Sequence, residues 1–160
     1  MGILALDLGT KLGWAISHNG SVGNVDSGSV AFKKLDRFEG GGITFVRFRQ
    51  WLTELKDQYR DLDMVVVEQV RNHKGVDASH KYGGLLATVT AWCEHHQIPY
   101  TSVGVGQIKK HWTGKGNAGK EEMIAEAKGR GFSPGDDNEA DALALLDYVT
   151  NGPGINLEAI

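Results

Sequence analysis

The sequence predicts an α/β domain built on a mixed sheet, and three observations carry that reading. Short apolar runs alternate with glycine turns in the first third of the chain. The apolar period then switches to three and four, and helix-like and strand-like stretches alternate from there on. Residues 3–8, 13–17 and 28–32 read as three strands, and connections this short make them antiparallel. From 43 to 59, Phe45, Phe48, Leu52, Leu55 and Tyr59 recur at helical spacing after Gly40-Gly41-Gly42, the signature of an amphipathic helix. Met64-Val65-Val66-Val67 is continuous and mostly β-branched, as in a strand buried on both faces, and it stops at Glu68. A second helix is expected to carry Tyr82, Leu85, Leu86, Val89 and Trp92 on one side. Residues 99–103 form the next strand. A connection rich in glycine and lysine follows, then two helices near 120–128 and 138–150. Residues 1–150 thus read as one domain and 151–160, with Gly152-Pro153-Gly154, as a loose tail.

The chain has 160 residues, a length that suits one domain with its own core. Hydrophobic residues at 41% and charged residues at 23% exclude wholesale disorder, collagen-like repeats and coiled-coil rods. Only glycine stands out: its 22 residues are about twice the usual share of roughly 7%. A formal charge of −3 does not mark a nucleic-acid binder, so the distribution of charge has to decide that question. The single cysteine, Cys93, excludes an intrachain disulfide and fits a reducing compartment, and no stretch has the apolar length of a membrane span. The apolar start is cut by Asp7 and too short for a signal peptide, so a cytoplasmic protein is expected. Cys93, His95 and His96 lack the spacing of a tetrahedral zinc site.

Three acidic positions call for an explanation. Asp7 sits within an apolar strand, and a carboxylate buried without a cation is expensive. Glu68 closes Met64 to Val67, at the strand end where α/β sheets place their sites. The third lies in Asp136-Asp137-Asn138-Glu139-Ala140-Asp141, where acids early in the helix serve partly as caps. Asp141 stands one turn before Leu145 and so faces the sheet, and Asn138 shares that face. Three carboxylates without His or Cys suit hard cations such as Mg²⁺ or Mn²⁺. Two such ions roughly 3.5–4 Å apart are the usual device for in-line attack on a phosphodiester.

Taken in order, these residues resemble the RuvC group of Holliday-junction resolvases in the RNase H-like superfamily, phage-type members above all. Four blocks carry the resemblance from about Ile3 to Val149. They are Leu6-Asp7-Leu8-Gly9-Thr10 with Gly13-Trp14, then Val67-Glu68-Gln69-Val70, then Lys109-Lys110 through Thr113-Gly114-Lys115-Gly116 to Ala118-Gly119-Lys120, and Glu139-Ala140-Asp141-Ala142-Leu143-Ala144. The resemblance implies an RNase H-like mixed five-stranded sheet flanked by helices, with Asp7, Glu68 and Asp141 as catalytic metal ligands. It also implies a homodimer acting on four-way or other branched DNA in a bacterial or phage-infected cell. Where such proteins commonly carry an acidic or histidine ligand three residues before the last Asp, this chain has Asn138, so either Asn138 or Asp137 is the candidate fourth ligand. An aromatic wedge found in the group after the glutamate strand has no counterpart here, where Arg71 stands.

Charge is segregated along the chain. Lys109, Lys110, Lys115 and Lys120 lie in a stretch with no acid, and Gly114, Gly116 and Gly119 leave backbone N–H groups free to approach phosphates. Lys120 is the candidate for stabilising negative charge on the phosphate. A second basic group, Arg71, Lys74 and Lys81, follows Glu68, and a third, Lys33, Lys34 and Arg37, follows the third strand. Trp51, Trp92 and Trp112 read as packing residues. Apolar residues on the helices around Phe45 to Leu55 and Leu85 to Trp92 are expected to offer surface for an isologous dimer. The sequence favours a metal-dependent nuclease of branched DNA. The alternatives are a YqgF-like RNA-processing nuclease and an actin-like or sugar-kinase-like nucleotide-binding domain, whose first phosphate loop Asp7-Leu8-Gly9-Thr10 also resembles.

Overall fold

The computed structural model describes residues 1–18, 23–153 and 155. Strands β1 (Gly2–Asp7), β2 (Leu12–Ser17), β3 (Val25–Val30), β4 (Leu62–Gln69) and β5 (Tyr100–Gly104) form one sheet in the order β3-β2-β1-β4-β5. β2 runs antiparallel to both β1 and β3, while β1, β4 and β5 are parallel. The antiparallel part follows from the short turns at the start of the chain. The parallel part requires crossovers, which α1 (Ile43–Gln58) and α2 (Val76–His96) provide. Helices α3 (Val105–Thr113), α4 (Lys120–Gly129) and α5 (Asp137–Asn151) follow β5.

Side chains alternate across each strand, so the sheet divides the core into two halves. Ile3 and Ala5 of β1, Ala15 of β2, Met64 and Val66 of β4 and Val103 of β5 pack with α3, α4 and α5. Leu4, Leu6, Ile16, Val65 and Val67 point the other way, onto Phe48, Leu52 and Leu55 of α1 and Leu85, Val89 and Trp92 of α2. This second half corrects the expectation of a dimer surface on those helices. Their apolar stripes are buried against the sheet and each other, and Phe45 is seated against Gly84.

Two further expectations are corrected. The third strand runs from Val25 to Val30 rather than over 28–32. The connection after β5 is helical over its first nine residues, because Ile108 and Trp112, one turn apart, both bury against the core. Gly114, at a φ of 85°, ends that helix in the left-handed conformation that glycine adopts without strain. Among the described residues no helix is long and apolar enough to cross a membrane. Of the expected tail, Asn151 closes α5 and Ile155 packs against the first half of the core, while 154 and 156–160 lie outside the described residues.

Candidate active site

Strand parity brings the carboxylates together. Asp7 continues the Ile3, Ala5 side of β1, and Glu68 continues the Met64, Val66 side of β4, so both face α5 at the carboxyl ends of neighbouring parallel strands. Asp141 projects from the first turns of α5, and ligand oxygens of Asp7, Glu68 and Asp141 all lie within 4.8 Å of one another. Glu68 is buried at 7% exposure. The sheet brings these three together as expected.

α5 can descend this far because of one glycine. Gly13 pairs with Asp7 across the β1–β2 ladder, and a Cβ there would land on the backbone carbonyl of Asn138. Around that contact the start of the helix is lashed down. Asp136 is the N-cap, accepting from the Glu139 N–H at 2.9 Å. Ser29 Oγ donates to Asp136 and Ser27 Oγ to Glu139, each at 2.7 Å, and Lys11 Nζ lies 2.7 Å from Asp136. Ser27 and Ser29 alternate on one face of β3, as β-strand geometry requires. The sequence reading missed these anchors. Their signal was that i, i+2 serine pair opposite an acidic helix start.

Burial and mutual repulsion set the electrostatics. Asp7 is pushed well above the usual carboxylate range, first by desolvation and then by Glu68, Asp141 and Asp137. Asp141 is pushed up to about 7 by desolvation and by Glu68, with Lys109 and Lys120 pulling the other way. Two carboxylates that resist ionisation, Asp7 and Asp141, beside a third oxygen donor fit a divalent cation, whose charge removes the conflict. Asp137 adds to the repulsion on both Asp7 and Asp141. Its carboxylate is 3.6 Å from Lys120 Nζ.

The basic residues separate into groups. Lys109 and Lys120 stand near enough to act on Asp141. Lys115 pairs with Glu122 at 3.3 Å, and Lys110 lines a separate surface groove with His111 and Tyr148. Lys109 is held in place by the packing of α3 on α5: Asp147 lies 2.7 Å from His111 Nε2 and accepts from Arg130 at 3.0 Å, and Arg130 stacks on Trp112 at 3.9 Å. Arg71 and Asn72 line an open cleft of about 570 Å³ with Gln69, Ser102 and Gln107, beside Glu68. After β4, Lys74 is exposed and Lys81, on α2, is half-buried. Tyr82, expected on the apolar side of the second helix, packs there and also closes the end of β4: its hydroxyl donates to the Glu68 carbonyl at 3.0 Å and accepts from the Val70 N–H at 3.4 Å.

The raised carboxylates have a consequence for stability. A folded-state pKa above the unfolded value means the folded protein holds extra protons, so stability falls as pH rises through that window. For Asp141 the window runs from its ordinary 3.8 to about 7. Metal-free protein is therefore expected to lose melting temperature relative to Asp141→Asn as pH climbs from 4 to 8, and saturating Mn²⁺ is expected to restore only the parent. Calorimetric melts of both proteins with and without metal check this, and parallel pH curves would contradict it.

No family model matches the chain. Its backbone is similar to that of T. thermophilus RuvC in complex with Holliday junction substrate, with a TM-score of 0.75 and 24% identity over 91% of this chain and 90% of that one. A second structure of Thermus thermophilus RuvC gives a TM-score of 0.69 and 24% identity, covering 91% of each chain. The yeast mitochondrial Holliday junction resolvase Ydc2 gives 0.62 and 12% identity, over 90% of this chain and 75% of that one. At these identities the likeness is one of fold: the chain folds as RuvC does, around the RNase H-like mixed five-stranded sheet that its sequence led us to expect.

Proposed function

We propose that the protein is a divalent-metal endonuclease that nicks four-way DNA junctions in the cytoplasm of a bacterial or phage-infected cell. The observation that carries this reading is the meeting of Asp7, Glu68 and Asp141 on one sheet face, in a fold shared with a resolvase whose structure holds a Holliday junction. Asp7, Glu68 and Asp141 would hold one or two Mg²⁺ or Mn²⁺ ions, with Asp137 or Asn138 completing the set. The chemistry such ions supply when bound is Lewis-acid activation of water and of the scissile phosphate.

The chain's own residues do the rest. Asp7 and Glu68, fixed on adjacent strands, define where the reacting phosphate sits. Lys120 is 81% exposed and lies at the start of α4, where it can reach that phosphate and offset its growing negative charge. Lys109 does the same from α3. Arg71, Lys74 and Lys81 on one flank and Lys110 and Lys115 on the other contact the phosphates of the departing arms.

One such cluster cuts one strand, and resolution of a junction into two duplexes needs two cuts related by symmetry. The working form is therefore a twofold homodimer. The test pairs substrate with assembly. Purified protein with Mg²⁺ or Mn²⁺ is given labelled four-way junction, three-way junction, duplex and RNA–DNA hybrid. It is then mixed with an excess of Asp7→Asn protein on a cruciform plasmid. Junction-selective cutting is expected, with linear product giving way to open circles in the mixture. Equal cutting of duplex, or preference for the hybrid, would overturn the substrate. Linear product that falls only in proportion to dilution would overturn the dimer.

A further inference from the structure

The loop between β3 and α1 has no role in the site described above, yet it carries the two most exposed large apolar side chains among the described residues. Leu35 is 83% exposed and Phe38 82%. Exposed apolar residues in a loose loop would need little comment. These are mounted. The Glu39 carboxylate accepts the Leu35 N–H at 2.8 Å and the Asp36 N–H at 3.3 Å, and it receives both terminal nitrogens of Arg47 from α1. Arg47 also donates to the Lys33 carbonyl at 2.9 Å, and Asp36 caps the Phe38 N–H at 2.9 Å. Arg47 and the two N–H groups hold Glu39 down to about 2, so the clamp stays charged across any working pH. At the base of the loop, Thr44 Oγ1 donates to the Phe32 carbonyl, and Phe32 packs on Phe48 and Trp51.

The charge on this knuckle is net positive, with Lys33, Lys34, Arg37 and Arg47 against Asp36 and Glu39. Both of its acids are occupied: Asp36 by backbone, Glu39 by backbone and Arg47. Lys33, Lys34 and Arg37 are all exposed, and the Arg37 guanidinium lies 4.7 Å from the centre of the Phe38 ring. A rigid, exposed aromatic ring bordered by cations is what an unpaired nucleobase and its phosphates require.

The knuckle also lies on the correct edge of the sheet. β3 runs in the same direction as β1, since both are antiparallel to β2, so its end at Val30 is on the edge where Asp7 lies. Asp7, Gly13 and Ser29 form one row across three strands. At about 4.8 Å per strand, Ser29 is roughly 10 Å from Asp7. From there the chain turns over α1, on the opposite face from the carboxylates.

We propose that the Leu35–Phe38 knuckle is a second DNA contact, a platform on which a base unpaired at the branch point stacks against Phe38 while Lys33, Lys34 and Arg37 hold the adjoining phosphates. It rests on the junction reading for the source of the unpaired base. The mounting by Glu39 and Arg47 keeps the cost of ordering the loop low.

Fluorescence anisotropy tests this with three labelled probes, a four-way junction, a short single strand and a duplex, on the parent, Phe38→Ala, Phe38→Tyr and Arg47→Ala. Light scattering on the parent and Phe38→Ala gives the oligomeric state. Phe38→Ala is expected to bind junction and single strand about tenfold more weakly, the loss of roughly one stacked base. Its duplex affinity and assembly should stay unchanged. Phe38→Tyr is expected to hold within about twofold, and Arg47→Ala to fall between. Unchanged single-strand and junction binding in Phe38→Ala would overturn the platform. So would a Phe38→Ala protein that drops to half the parent mass, which would assign the knuckle to a contact between copies. A parent that binds junction no better than duplex would overturn the junction reading instead, and the single-strand probe would still report on Phe38.

Discussion

Asp7→Asn, Glu68→Gln and Asp141→Asn are each expected to lower junction cleavage by about 10²- to 10³-fold or more, while junction affinity in Ca²⁺ stays within about threefold. The three groups face one another on one surface of the sheet rather than the open cleft, so, on the proposed reading, their removal takes away the metal ligands and leaves in place the lysines proposed to bind phosphate. Each change also removes a charge from a crowded, partly desolvated cluster, so the variants are expected to melt higher than the metal-free parent above neutral pH. Loss of activity with gain of stability separates a ligand from a merely structural acid, whose removal would lower both. Asp137→Ala and Asn138→Ala belong in the same series. The one that loses activity and regains part of it at high Mn²⁺ is the fourth ligand.

Gly13→Ala is expected to have the second largest effect, although the residue is none of the proposed ligands or phosphate contacts. The added methyl meets the Asn138 carbonyl, which is backbone and cannot rotate aside, so α5 must lift from the sheet or β2 must bend. Overpacking of this kind costs about 1–3 kcal/mol, or a fall in Tm of roughly 3–10 °C for a chain of this size. A displacement of about 1 Å between Asp7 and Asp141 would lower the cleavage rate by around a hundredfold. Gly129→Ala, where a Cβ meets open space, is the matched control and should change neither quantity. Rates and melts of the two variants decide the matter, and a Gly13→Ala protein with parental activity would show that α5 is free to re-seat.

The difference between Asp7 and Gly13 explains what could be read in the sequence and what could not. Asp7 and Glu68 were legible because each interrupts an apolar strand, and a charge where Val is expected is a local anomaly. Asp141 was legible because its spacing from Leu145 fixes its side of the helix. Gly13 carries no comparable mark. In the sequence it opens the second strand and stands beside Trp14 in the first resemblance block, but the contact that requires a glycine there depends on a helix far along the chain. β3 was placed three residues late because an edge strand with small polar residues facing α5, Val-Asp-Ser-Gly-Ser-Val, lacks apolar alternation. In the sequence α3 shows only as a connection rich in glycine and lysine, because Gly104, Gly106 and Gly114 outweigh its one buried pair, Ile108 and Trp112, in so short a helix. The clamp of Glu39 on the β3–α1 loop depends on Arg47, and a half-buried ion pair between a loop and a helix leaves no periodic trace.

The third carboxylate lies on α5, the last helix of the described fold, and Asp7 lies on the first strand. Contacts of such wide sequence separation form late and slowly compared with local ones. A chain emerging from the ribosome at about 5–20 residues per second would complete β1, β2, β3 and even β4 seconds before Asp141 exists. During that interval Asp7 and Glu68 can be neighbours without the residue that closes their set. The nascent chain therefore lacks the complete carboxylate cluster until synthesis has passed α5 and that helix has docked over Gly13.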